Sequence, residues 1–202
     1  MRVAAALFVL LASCGGVSEI LEEGEAAEAR GDGDAAGRAY WRAVVEFPER
    51  AEGWAAYGEH LRFRRDDAAG ARRAFERAIA APRGGEDSRA FAWRGMGELA
   101  RDEGRVDDAI RCFEKSLSLR PLADTHRSLS ALYATERRDF ERAARHARAA
   151  VDAAPGDPIA LLQLAVQLRR QGAAGEARAA FERALRLAGC DDRGAAAGPI
   201  HC

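Results

Sequence analysis

The sequence predicts an all-α chain built from repeated helix hairpins, and three observations carry that expectation. The pentapeptide AFERA stands at residues 74–78 and again at 180–184, 106 residues apart. Proline recurs at Pro48, Pro82, Pro121 and Pro155, at similar intervals. Ala, Arg, Glu and Leu dominate while long β-branched runs are missing, which favours helix throughout. A long coiled coil would share that composition, but its heptad seam would be broken at each proline. Much of the 48% hydrophobic content is alanine, which buries little area, so the 7% aromatic content must supply much of the packing mass.

Aligning phenylalanines with prolines gives a unit of 34 residues. The first copy, 17–50, carries Ile20, Gly24, Ala36, Tyr40, Ala43 and Pro48. The second, 51–83, carries Trp54, Tyr57, Gly58, Ala71, Phe75, Ala78 and Pro82, with a stretch around Arg83–Ser88 left over as an insertion. The third and clearest, 90–123, sets Trp93, Gly97, Ala109, Phe113, Ser116 and Pro121 at positions 4, 8, 20, 24, 27 and 32 of the unit. In the fourth, 124–157, Arg127 replaces the large residue and Ala147 the aromatic. The fifth, 158–189, has Leu161, Ala165, Ala177, Phe181 and Ala184, with Gly189 in the proline's place. Both AFERA copies are therefore second helices, of the second and fifth units.

Each unit reads helix, turn, helix. Gly31, Gly104 and Gly172 lie between the helices, where a left-handed backbone costs glycine little. Asp34, Asp67, Asp107 and Asp139 are expected to open the second helices by accepting free N–H groups. The prolines end them. In APGDPIALL, Asp157 and Pro158 fit an N-cap and a first helical position.

This pattern resembles the tetratricopeptide repeat (TPR), whose signature is a large residue at 4, small ones at 8, 20 and 27, an aromatic at 24 and proline at 32. The resemblance implies a right-handed α-α superhelix, a solenoid of about five TPR hairpins. Trp54, Gly58, Phe75, Trp93, Gly97, Phe113 and Phe181 would be its repeat-packing residues. It also implies a concave face lined by the first helices, with ligands touching positions 2, 5, 9, 12 and 13. Those positions give Glu25, Glu59 and Glu98 at 9, Arg62 and Arg101 at 12, Arg94 at 5, and Ile159, Leu162, Val166 and Arg169 in the fifth repeat. The carboxylate clamp of chaperone-binding members wants a basic residue at 5 and Asn or Arg at 9. Only Arg94 fits, opposite Glu98, which argues against an acidic chaperone tail. The three glutamates admit two readings: a stripe selecting a basic segment, or i,i+3 pairs of Glu59 with Arg62 and Glu98 with Arg101, the latter being favoured. Ile159, Leu162 and Val166 either meet a partner at the fourth and fifth repeats or pack within the hairpin or under the tail.

The first residues, MRVAAALFVLLASCGG, have one basic residue, an apolar run and then small residues. The run is shorter than the roughly 20 apolar residues a membrane-spanning helix needs and has the length of a signal-peptide core. Leu11-Ala12-Ser13-Cys14 resembles a bacterial lipobox, so residues 1–13 are expected to be a lipoprotein signal peptide and Cys14 the acylated mature N-terminus, opening a short 14–16 lipidated segment. An ordinary secretory signal with an incidental cysteine is the alternative. Gly15 after the cysteine, by analogy with enteric bacteria, implies the outer membrane, facing the periplasm.

Lys+Arg 31 against Asp+Glu 32 is near balance, which points away from nucleic acid as a partner. His60, His126, His146 and His201 are scattered, and no HExxH, phosphate loop, dinucleotide fingerprint or GxSxG elbow occurs, so neither an enzyme nor a metal or cofactor is expected. Cys112 reads as a small helix residue. Cys190 and Cys202 bracket the Gly- and Asp-containing tail 190–202 and are either paired in an oxidising compartment or free on a flexible segment. Together these features predict a non-catalytic scaffold, lipid-anchored in the bacterial envelope, that binds a protein or peptide partner. A pilotin-like role for pilus secretins or a role in outer-membrane assembly is expected, with an adaptor of a cell-wall enzyme as the alternative. The sequence leaves the oligomeric state open.

Overall fold

A computed structural model describes residues 16–64 and 66–189. The lipobox Cys14 and the tail cysteines Cys190 and Cys202 lie outside the described residues. Among these residues there are ten helices and no strand: α1 Gly16–Ala29, α2 Gly33–Glu46, α3 Ala51–Arg64, α4 Ala68–Ala80, α5 Glu86–Asp102, α6 Val106–Leu119, α7 Ala123–Thr135, α8 Phe140–Ala153, α9 Pro158–Arg170 and α10 Ala174–Leu187. The chain is an all-α helical repeat. It divides into two compact units, residues 1–103 and 104–202.

In the first unit α1 pairs with α2 and α3 with α4, while α3 packs on α2 and α5 on both α3 and α4. Second helices bury residues at helical spacing: Ala36, Ala39, Tyr40, Ala43 and Val44 in α2, and Ala71, Ala74, Phe75 and Ala78 in α4. Glycine makes room for the aromatic at position 24. A Cβ on Gly24 would stand 2.4 Å from the Tyr40 ring, and one on Gly58 2.8 Å from Phe75. The following repeat completes the cover, since a Cβ on Gly95 of α5 would stand 2.3 Å from Phe75. Trp54 is half-buried against this cluster, and its indole N–H donates to the Pro48 carbonyl at 2.8 Å.

In the second unit α7 pairs with α8 and α9 with α10, while α9 packs on α8 and α6 on α7. Phe113 is fully buried in α6, and Leu161, Ala160 and Ala184 form a core with Ala150 and Val151. The buried hydroxyls of Ser116 and Thr125 satisfy each other at 3.2 Å. Arg127, which stands where a large apolar residue is usual, reaches Asp157 at 3.1 Å and so ties α7 to the cap of α9.

One turn geometry recurs in all five hairpins. The residue just before the second helix's N-cap has positive φ: Gly31 (78°), Asp66 (50°), Gly104 (72°), Arg138 (52°) and Gly172 (81°). Two repeats thus place a side chain in the left-handed region, at a cost that glycine avoids. The N-caps themselves are Asp32, Asp67, Arg105, Asp139 and Ala173. Asp32, Asp67 and Asp139 each accept a backbone N–H, at 2.9, 2.8 and 2.9 Å. Asp34 and Asp107 were expected to cap; they lie inside the first turn instead, because the cap is set by the turn two residues earlier. Asp157 caps α9 as expected, accepting from Ile159 at 2.8 Å, with Pro158 following.

Two further expectations need correction. The insertion Arg83–Ser88 is not all loop: Glu86, Asp87 and Ser88 form the first turn of α5, which runs for 17 residues and begins before position 90. Acidic residues there meet the positive end of the helix dipole. Phe181, expected to pack like its equivalents, is 46% exposed. At Phe75 the next repeat's first helix supplies the cover, and no described helix follows α10.

Candidate functional site

The first helices of the first unit line a groove of about 660 Å³. Leu21, Glu25 and Glu28 come from α1, Glu52, Ala55, Ala56, Glu59, His60 and Phe63 from α3, and Asp87, Ser88 and Phe91 from α5, while Tyr40 reaches in from α2. Side chains three and four apart on one helix face the same way, so Leu21, Glu25 and Glu28 share a stripe, as do Glu52, Ala55, Ala56, Glu59 and Phe63.

The groove's charges are partly matched from within the protein. Glu59 accepts from Arg62 on its own helix at 3.3 Å and from Arg94 of the next repeat at 2.9 Å. Glu52 faces Arg50 at 3.4 Å, and His60 Nδ1 lies 3.4 Å from Glu28. Burial, then the charges of Glu28 and Glu25, and finally a hydrogen bond with Glu28 push the Tyr40 phenol pKa well above its ordinary value, so it stays protonated. Arg62 sits over the Phe63 ring at 3.7 Å and Arg94 over Phe91 at 4.3 Å.

Of the residues that the sequence nominated in this unit, Glu25 and Glu59 line the groove, and Arg62 and Arg94 hold Glu59 from beside it. Glu98 is buried and pairs with the exposed Arg101 at 2.6 Å, so neither lines the groove. Both i,i+3 pairs are present, and the Arg94–Glu59 pair between repeats is an addition. Sequence reasoning missed Glu28, Glu52, Phe63 and Phe91, although they occupy positions 12, 2, 13 and 2 of their units. Tyr40, His60 and Asp87 stand outside those positions and carried no such signal.

A second surface lies on the last hairpin. Leu162, Ala165, Val166, Arg169, Ala174, Ala177, Arg178 and Phe181 line an apolar cavity of about 400 Å³ between α9 and α10. Ile159 is exposed next to it and does not line it. Ile159, Leu162 and Val166 all remain exposed, so they do not pack inside the hairpin.

Elsewhere in the second unit His126 and His146 join through their Nδ1 atoms at 3.1 Å, with Tyr133 stacked on His146. Burial, then His126, Arg145 and Arg142 push the His146 pKa down to about 4. Among the described residues no group of three or more His, Cys, Asp or Glu side chains stands where it could hold a metal ion, and no helix is long and apolar enough to cross a membrane.

Residues 94–158 and 128–192 match the family model of the tetratricopeptide repeat, and the chain carries such repeats there. No curated protein matches the sequence as a whole. Among solved structures the fold is similar to pilF of Pseudomonas aeruginosa, at 17% identity and TM-score 0.70 over 87% of this chain and 76% of that one. It is similar to PilW, a widely conserved type IV pilus biogenesis factor, at 17% identity and TM-score 0.69 over 91% and 83%. YrrB, a TPR protein with an unusual peptide-binding site, aligns at 14% identity and TM-score 0.53 over 83% and 84%.

Proposed function

We propose that the chain is a non-catalytic scaffold that holds a segment of another envelope protein in the groove of its first unit. The observation that carries this reading is the groove itself: an open cavity of about 660 Å³, presented by successive first helices and lined by apolar, aromatic and carboxylate side chains. Such a surface suits an extended or helical peptide, and its carboxylates lie on separate turns or in ion pairs rather than around a reacting centre. The lipobox-like run ending at Cys14 supports a lipid anchor at the outer membrane, facing the periplasm. Likeness of fold to pilF and PilW favours assembly of a pilus machine over regulation of a cell-wall enzyme.

Affinity capture from envelope extracts tests the reading. The full chain is expected to retain pilus-assembly proteins, and Phe63→Ser is expected to lose them while the Leu162→Glu/Val166→Glu double variant keeps them. An unchanged capture set with Phe63→Ser would overturn the groove assignment. Mass spectrometry of membrane-extracted protein tests the anchor: an acylated Cys14 at the N-terminus is expected, and an unmodified Met1 contradicts it.

A further inference from the structure

The groove of the first unit combines an apolar floor with acidic walls. Leu21, Ala55 and Ala56 give the floor, and the Phe63 ring projects with 64% of its surface exposed. The acidic residues lining it are Glu25, Glu28, Glu52, Glu59 and Asp87, and no Lys or Arg lines it. The protein's own arginines answer Glu59 and Glu52. On α1 the balance differs. Glu25 is exposed and, among the described residues, stands in no ion pair, while the partner recorded for Glu28 is the imidazole of His60. An apolar, partly desolvated wall strengthens the field of such carboxylates. The Tyr40 phenol, held protonated partly by Glu28 and Glu25, registers that field inside the groove.

The rim shows how a cation fits here. Arg62 and Arg94 each lie over a phenylalanine face while donating to Glu59. Ring and carboxylate together form a composite seat for a guanidinium. Glu25 and Glu28 offer the carboxylate half of such a seat on α1, next to Tyr40.

We propose that this groove takes an extended peptide segment in which a Lys or Arg side chain answers Glu25 and Glu28 while a neighbouring apolar side chain covers Phe63 and Phe91. The inference rests on the scaffold reading and adds the partner's charge to it. The same charge repels acidic tails and nucleic-acid backbones.

Fluorescence anisotropy with the full chain tests it, using three labelled nonapeptides of Ser and Leu that carry Arg, Gln or Glu at the same three positions. The Arg peptide is expected to bind about tenfold tighter than the Gln peptide, and the Glu peptide weaker than both. Raising salt from about 0.05 to about 0.5 M is expected to shrink that preference. Glu25→Lys, which breaks no ion pair, is expected to reduce it to about threefold or less, with helicity by circular dichroism unchanged. Equal binding of the Arg and Gln peptides, or an Arg preference untouched by Glu25→Lys, would overturn the inference while leaving the scaffold reading standing. Failure of all three peptides would also overturn it, and the scaffold reading would then be decided by the capture experiment with Phe63→Ser.

Discussion

The two copies of AFERA are identical in sequence and helical in both places, yet their surroundings differ. In α4 the ring of Phe75 is fully buried, held between Gly58 of its own hairpin and Gly95 of the next repeat. In α10 the ring of Phe181 is 46% exposed, at the edge of the apolar cavity with Leu162 and Val166. The final alanine of the pentapeptide is buried in both, at Ala78 and Ala184, because it faces its own hairpin partner. In a stacked array the inner face of a hairpin is satisfied within the repeat, and the aromatic at position 24 depends on what comes after. The pentapeptide fixes a helix; its neighbour decides what that helix is worth.

The largest expected effect separates the two phenylalanines. Phe75→Ala is expected to cost about 3–5 kcal/mol of unfolding free energy, as cavity formation in a packed core does. Phe181→Ala should cost about 1 kcal/mol or less, since much of its ring is already in water. Urea denaturation of the two variants checks this, and equal losses would break the comparison.

The fourth repeat sharpens it in another way. It has Ala147 where the others carry an aromatic, and the volume there comes from Tyr133 stacked on His146. That substitute titrates. The His146 pKa is about 4 in the folded chain against an ordinary 6.5, so its neutral form contributes stability that is fully present above 6.5 and is lost as pH falls toward 4. His126, Arg142 and Arg145 face it, and Glu114 lines the same cavity. Thermal unfolding is expected to show a midpoint that drops across this window, and His146→Leu should flatten that part of the profile. An unchanged slope in the variant would assign the pH dependence elsewhere.

The smallest effects lie in the turns. Arg138 adopts the left-handed conformation that glycine takes in three of the five hairpins, so Arg138→Gly is expected to stabilise by about 1 kcal/mol. Ala173, which offers no side-chain cap where three equivalents use aspartate, gives a similar gain as Ala173→Asp, about 0.5–1 kcal/mol. Denaturation midpoints of both variants should rise, and a fall in either would mean that these turns are not equivalent.

Much of this was legible in the chain. Glycines and prolines mark turns and helix ends because their backbones permit or forbid particular geometries locally, so the period could be read directly. The unit's positions 2, 5, 9, 12 and 13 already contain Leu21, Glu28, Glu52, Ala55, Phe63 and Phe91, and carrying them through every repeat would have outlined most of the groove. Contacts between repeats were not legible. The Arg94–Glu59 pair joins residues 35 apart and the His126–His146 pair residues 20 apart, and no local pattern encodes either. The exposure of Phe181 was hidden for the same reason, since its sequence matches that of a buried residue.

Hydrogen exchange on the full chain, with and without the envelope protein it captures, tests the scaffold assignment most directly. The account predicts slowed exchange over residues 21–28, 52–63 and 87–91, with 159–181 unchanged. Protection confined to 159–181, with the first unit exchanging as in the free chain, would contradict it.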